Sequence, residues 1–119
     1  MKKVLIADDN KYMLDALQEI IQIGGYRAEV ADVDRPFKLS NELPDLILMD
    51  LRMPRMDGFE AIKIIRSEDK TAAIPIIAIS AWASAKHKER ALAAGANEHF
   101  TKPVDLNRLL TTINRYLKG

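Results

Sequence analysis

Five short apolar runs alternate with helical patterns along the chain, and the first run sets the theme. Lys3 to Ala7 is apolar at consecutive positions, the mark of a strand covered on both faces. Asn10 then offers an N-cap, and Met13, Leu14, Leu17, Ile20 and Ile21 recur at helical spacing until Gly24-Gly25 ends the element. Arg27 to Ala31 reads as a second strand. A short helix is expected over Asp34–Leu43, with Pro36 in its first turn, Phe37 as its anchor and Pro44 as its stop. Asp45 to Asp50 is a third strand, apolar inside and acidic at both ends. Asp57 caps a third helix whose buried stripe is Phe59, Ile62 and Ile65. Pro75 to Ser80 is a fourth strand, with proline where it does least harm. Ser84 caps an alanine-rich fourth helix ending at Gly95, and Asn97 to Thr101 is a short fifth strand broken by Lys102-Pro103. Asp105 caps the last helix, with Leu106, Leu109, Leu110, Ile113 and Leu117 as its stripe.

Strict alternation of this kind predicts a parallel sheet with helices on both faces, an α/β three-layer sandwich. At 119 residues the chain suits one domain, spanning 1–119, and is too short for a closed eight-fold barrel. The doubly wound, five-stranded, flavodoxin-like arrangement with strand order 2-1-3-4-5 remains.

Composition narrows the chemistry by exclusion. With no cysteine, disulfides, thiolate metal sites and a cysteine nucleophile are ruled out. The formal net charge is +1 and the charges are scattered, so direct nucleic-acid binding is not expected. No run approaches the roughly 20 apolar residues of a membrane span, and the start Met1-Lys2-Lys3 leads straight into a strand without a signal-peptide core. A cytoplasmic protein without membrane insertion is the expectation.

In open parallel sheets, ligands bind beyond the carboxyl ends of the strands. Asp8 and Asp9 follow strand one, Asp50 ends strand three, Ser80 ends strand four and Lys102 follows strand five. In the order 2-1-3-4-5 these strands are neighbours at about 4.8 Å spacing. Three carboxylates, a hydroxyl and an ammonium then converge on one edge. Three close carboxylates repel unless a cation intervenes. Mg²⁺ suits the need, because it takes one or two carboxylates together with phosphate oxygens. A phosphoryl group between that metal and Lys102 has its charge offset on two sides, and one carboxylate at a strand end can be the nucleophile. Taken singly, each residue has an ordinary structural use: helix cap, turn, strand-end hydroxyl or solvated charge. Their convergence makes the case.

Four segments together resemble the receiver domains of response regulators, the CheY-like family. They are Asp8-Asp9; Asp50-Leu51-Arg52-Met53-Pro54-Arg55-Met56-Asp57-Gly58; Ser80-Ala81; and Lys102-Pro103. The resemblance spans essentially the whole chain. It implies that Asp50 is the phosphoacceptor and that Asp9 and Asp50 ligate Mg²⁺, for which Mn²⁺ can substitute. It further implies that Asp8 acts mainly through a metal-bound water and that the carbonyl of Arg52 completes the protein ligands. Ser80 is implied to bond the incoming phosphoryl group, and Lys102 to pair with a phosphoryl oxygen from a cis Lys102-Pro103 bond. The implied donor is a phosphohistidine on a sensor histidine kinase or a histidine phosphotransfer protein. The implied output is a protein partner bound through the fourth helix, fifth strand and fifth helix; the charged run Lys86-His87-Lys88-Glu89-Arg90 reads most simply as a solvated helix face, with a share in that partner surface as the alternative. On this reading the domain is a two-component phosphorelay switch and not an enzyme. The rivals are a receiver excised from a larger hybrid kinase or transcriptional regulator, and an aspartyl-phosphate phosphatase or phosphotransferase, for which the chain has no spare residues to form a cap.

Three departures from the family pattern stand out. His99 occupies the position where the family usually has the Tyr or Phe of an aromatic switch, and alternation points the neighbouring Phe100 to the other face of the sheet. The segment around Asp34-Arg35-Pro36 lacks a usual glycine and is short, which predicts a stunted helix. Arg52 and Trp82, two residues past Asp50 and Ser80, sit at variable positions that in the family tune the phosphorylated lifetime.

Overall fold

The structure, a computed structural model, describes residues 1–32, 39, 42–81 and 84–118. Its sheet comprises β1 (Lys3–Ala7), β2 (Arg27–Val30), β3 (Leu46–Asp50), β4 (Ile76–Ser80) and β5 (Glu98–Thr101). All pairings are parallel and the order is β2-β1-β3-β4-β5, the doubly wound arrangement expected. The helices are α1 (Lys11–Ile23), α2 (Gly58–Ser67), α3 (Ala85–Ala94) and α4 (Leu106–Leu117). Here α2, α3 and α4 are the predicted third, fourth and fifth helices. Most of the short helix expected over Asp34–Leu43 lies outside the described residues, as does Trp82.

The consecutive apolar runs are central strands. Every residue of β1, β3 and β4 is buried. Alternation divides them between two cores. Leu5, Ile47, Met49, Ile76 and Ala78 face α2 and α3, meeting Phe59, Ile62, Ile65 and Ala91. Val4, Ile6, Leu48, Ile77, Ile79 and Phe100 face α1 and α4, meeting Leu17, Ile21, Leu109 and Ile113.

All four expected N-caps are in place. Asn10 accepts from the Met13 amide, Asp57 from Phe59 and Glu60, Ser84 from His87 and Asp105 from Arg108. Helix α3 ends at Gly95, whose φ of 124° suits only glycine. Strand ends shift by one residue for identifiable reasons. Asp45, just before β3, still donates its amide to the Lys3 carbonyl but accepts the Lys3 amide on its side chain, and Ala31, just past β2, still donates to the Ile6 carbonyl.

One feature was not anticipated. Between Asp50 and α2 the chain makes a tight antiparallel hairpin, pairing Arg52 with Asp57 and Met53 with Met56. At the opposite end of the sheet, Arg66 ties α2 to the strand starts, donating to the carbonyls of Gly95, Ala72 and Ile74 and to the Asn97 side chain. Among the described residues, no helix is long and apolar enough to cross a membrane.

Candidate functional site

The ends of β1, β3, β4 and β5 bring the predicted residues to one rim of the sheet. Asp8, Asp9 and Asp50 each offer a carboxylate oxygen, and the three lie within 4.8 Å of one another. Asp8 and Asp50 are almost fully buried, at 2% and 4% exposure, whereas Asp9 is open to solvent.

The two buried carboxylates are held in the same way. Asp8 Oδ1 accepts the amide of Asn10 at 2.8 Å, and Asp50 Oδ1 accepts the amide of Arg52 at 3.1 Å, each from two residues downstream. The remaining oxygens turn toward Lys102, whose Nζ lies 3.4 Å from Asp8 Oδ2 and 3.3 Å from Asp50 Oδ2. Only the contact with Asp50 has hydrogen-bond geometry; Asp8 Oδ2 is buried without a hydrogen-bond partner.

Burial raises the Asp50 pKa above its ordinary value, and the Asp8 charge adds to the effect. The Arg52 amide and Lys102 oppose it without cancelling it. One ammonium beside three carboxylates leaves the cluster short of positive charge. An all-oxygen donor set with a buried, unsatisfied carboxylate oxygen fits a hard divalent cation.

Ser80 is completely buried at the end of β4, one register position past the Ile79 that pairs with Asp50. Its carbonyl accepts the Lys102 amide at 2.7 Å, which anchors the chain just before the cis Lys102-Pro103 bond. Arg52 is exposed, and its backbone forms part of the hairpin. His99 pairs with Ala78 and so faces the α2–α3 layer. Its Nε2 is buried without a hydrogen-bond partner, and burial, then Lys88 and His87, lowers its pKa. Phe100 lies on the opposite face, as alternation predicts, with the Arg108 guanidinium 5.0 Å from its ring centroid.

With this geometry in view, comparison with known proteins is decisive. The sequence profile of the response regulator receiver domain matches residues 4–114. This chain belongs to the response regulator receiver family. It is 32% identical over 123 residues to the polar-differentiation response regulator DivK of Brucella anthropi, covering 98% of this chain and 96% of that one. Among solved receiver structures, chemotaxis protein CheY4 of Vibrio cholerae superposes with a TM-score of 0.87 at 32% identity, covering 98% and 99% of the two chains. The receiver domain of a signal transduction histidine kinase from Syntrophus aciditrophicus gives 0.88 at 28% identity, covering 100% and 92%. The fold is that of a CheY-like receiver, and the chain is a receiver domain of the two-component response-regulator type.

Sequence reasoning did not find every residue that shapes the receiver site. The Asn10 amide that fixes Asp8 carries no side-chain signature. Gly58 was noted as part of a motif, but not for the close packing it allows. Beside Lys102 an apolar groove of about 500 Å³ runs between α1 and the start of α4, lined by Tyr12, Met13, Ala16, Pro103, Val104 and Leu106. Tyr12 at its edge is 85% exposed.

Proposed function

We propose that the domain is a phosphorylation switch that accepts a phosphoryl group on Asp50 from a phosphohistidine and signals by changing its binding to a protein partner. The observation that carries this reading is the buried Asp8–Asp50 pair bridged by Lys102, with Asp9 close enough to share a cation. Asp8, Asp9, Asp50 and the Arg52 carbonyl are the residues to hold Mg²⁺, with Asp8 acting chiefly through a bound water; Mn²⁺ is a substitute. When bound, the ion supplies positive charge to the transferring phosphoryl oxygens.

The chain's own groups do the rest. The Arg52 amide orients the Asp50 carboxylate, which attacks phosphorus in line; an O–P bond forms as the N–P bond to imidazole breaks. Lys102 offsets charge on a phosphoryl oxygen. Ser80, at the end of the neighbouring strand, turns its hydroxyl to the new group and biases a pre-existing inactive–active equilibrium. Hydrolysis of the acyl phosphate resets the switch. The output is a binding event, so the domain is a regulator rather than an enzyme, and its setting is the cytoplasm.

The donor is a sensor histidine kinase or a histidine phosphotransfer protein. The groove beside Lys102, largely apolar and bordered by Lys102 and Asn10, suits a helical surface flanking the donor histidine. The downstream partner is assigned to the α3–β5–α4 face.

Beryllofluoride with Mg²⁺ mimics the acyl phosphate, and Trp82, the single tryptophan, reports on it. A metal-dependent change in its emission is expected for the wild type and none for Asp50→Asn. An identical response from both excludes Asp50 as the acceptor.

A further inference from the structure

Beside the acidic rim lies a feature of opposite sign. The 52–57 hairpin and α3 enclose a cleft of about 430 Å³ whose lining, among the described residues, includes Arg52, Arg55 and Arg90 against one acidic residue, Asp57. The Asp57 Oδ1 already accepts the amides of Phe59 and Glu60. The lining is therefore basic in a chain whose formal net charge is only +1.

The three arginines reach the cleft from two elements. Arg52 and Arg55 come from the hairpin, and Arg90 comes from α3. The Arg90 guanidinium carbon lies 3.9 Å from the centroid of the buried Phe59 ring. That stacking holds a planar donor fork in place before any partner arrives, so less freedom is lost on pairing. Between the arginines the floor is apolar: Met53, Met56 and Phe59, each less than a tenth exposed. Methionine floors adapt to the shape of an incoming side chain. An apolar centre with an arginine rim is the anatomy of a protein-binding hot spot.

We propose that this cleft docks an acidic segment of a protein partner, one that places an apolar side chain on the Met53–Met56–Phe59 floor between carboxylates paired with Arg55 and Arg90. Guanidinium forks match carboxylates in bidentate geometry, which selects against basic or neutral segments. The cleft is open to solvent along one side, so it suits a stretch of chain laid across it rather than an enclosed small molecule. The site shares α3 with the face assigned to the downstream partner, but no residue of β5 or α4 lines it. Of the residues assigned to the phosphoacceptor site Arg52 alone lines it, and the proposed pairing uses Arg55 and Arg90, so it stands independently of the phosphoacceptor reading.

The probe is a fluorescein-labelled peptide with one leucine between two pairs of glutamates, titrated by anisotropy into the full chain without Mg²⁺ or beryllofluoride. A glycine-centred peptide of equal charge and a lysine-for-glutamate peptide serve as controls. The leucine peptide should bind best and shift backbone amide resonances over the hairpin and around Arg90. Arg55→Glu and Arg90→Glu should each weaken it about fivefold or more, as loss and reversal of an exposed pair imply, while Lys70→Glu leaves it unchanged. Circular dichroism confirms that each variant is folded. Absence of binding, equal binding of the leucine and glycine peptides, insensitivity to both arginine reversals, or shifts confined to β5 and α4 would each overturn the proposal.

Discussion

A methyl group built on Gly58 would sit 2.7 Å from the carbonyl oxygen of Asp50 and 2.6 Å from the Cα of Leu51. The first turn of α2 therefore packs directly on the backbone just after β3, at the proposed phosphoacceptor Asp50, and glycine is what permits that approach. Both obstacles are backbone atoms that no rotamer change can relieve. Gly58→Ala should cost about 1–3 kcal/mol in chemical denaturation, the usual penalty of overpacking. It should also move the amide resonances of Asp50 to Arg52. A change within a few tenths of a kcal/mol, with those resonances in place, would show that the loop yields freely.

The acidic rim should be under electrostatic tension when no metal is bound. With a folded pKa raised above the ordinary 3.8, Asp50 contributes most stability below that value, and the contribution is lost as pH rises through the folded pKa. Asp50→Asn should then stabilise the metal-free protein by about 1 kcal/mol while shrinking the stabilisation that Mg²⁺ gives the wild type. Thermal melts with EDTA and with Mg²⁺ test both halves. A less stable variant in EDTA would contradict the prediction.

Lys102 links both buried carboxylates, yet its own side chain is 26% exposed. Lys102→Ala should therefore fold, with a loss of about 1–2 kcal/mol in EDTA after allowing for solvent screening. Mg²⁺ should stabilise this variant by more than it stabilises the wild type, and the beryllofluoride response of Trp82 should vanish. Failure to fold even with Mg²⁺ would mark Lys102 as structural.

His99 carries a pH dependence of the opposite sign to that of Asp50. Burial, followed by the charges of Lys88 and His87 on α3, holds its folded pKa below the ordinary 6.5. Its contribution is full above 6.5 and is lost as pH falls toward the folded value, because the unfolded chain binds the proton first. Between about pH 7.5 and pH 5.5 the wild type should lose more stability than His99→Gln in urea titrations. Equal losses would remove His99 from the pH response.

The sequence made the architecture legible wherever a local rule acts alone. Asn10, Asp57, Ser84 and Asp105 are helix caps as read, and the consecutive apolar runs are the three central strands. Strand period two placed His99 and Phe100 on opposite faces. The acidic rim was legible because strand order alone brings those chain positions together. The hairpin from Arg52 to Asp57 was not, since two-residue strands carry no periodicity. Nor were the Asn10 and Arg52 amides that fix the buried carboxylates, because backbone donors leave no mark in side-chain identity. Arg90 illustrates a third limit. It read as one charge in a solvated run, and only the packing of α3 against Phe59 brings it to the arginines of the hairpin.

Phosphoryl transfer to Asp50 can be tested directly with phosphoramidate, a small donor with the same N–P bond as phosphohistidine. Intact-mass measurement should show the gain of one phosphoryl group by the wild type with Mg²⁺, and no gain in EDTA or in Asp50→Asn. Equal phosphorylation of Asp50→Asn, or phosphorylation indifferent to the metal, would contradict the account.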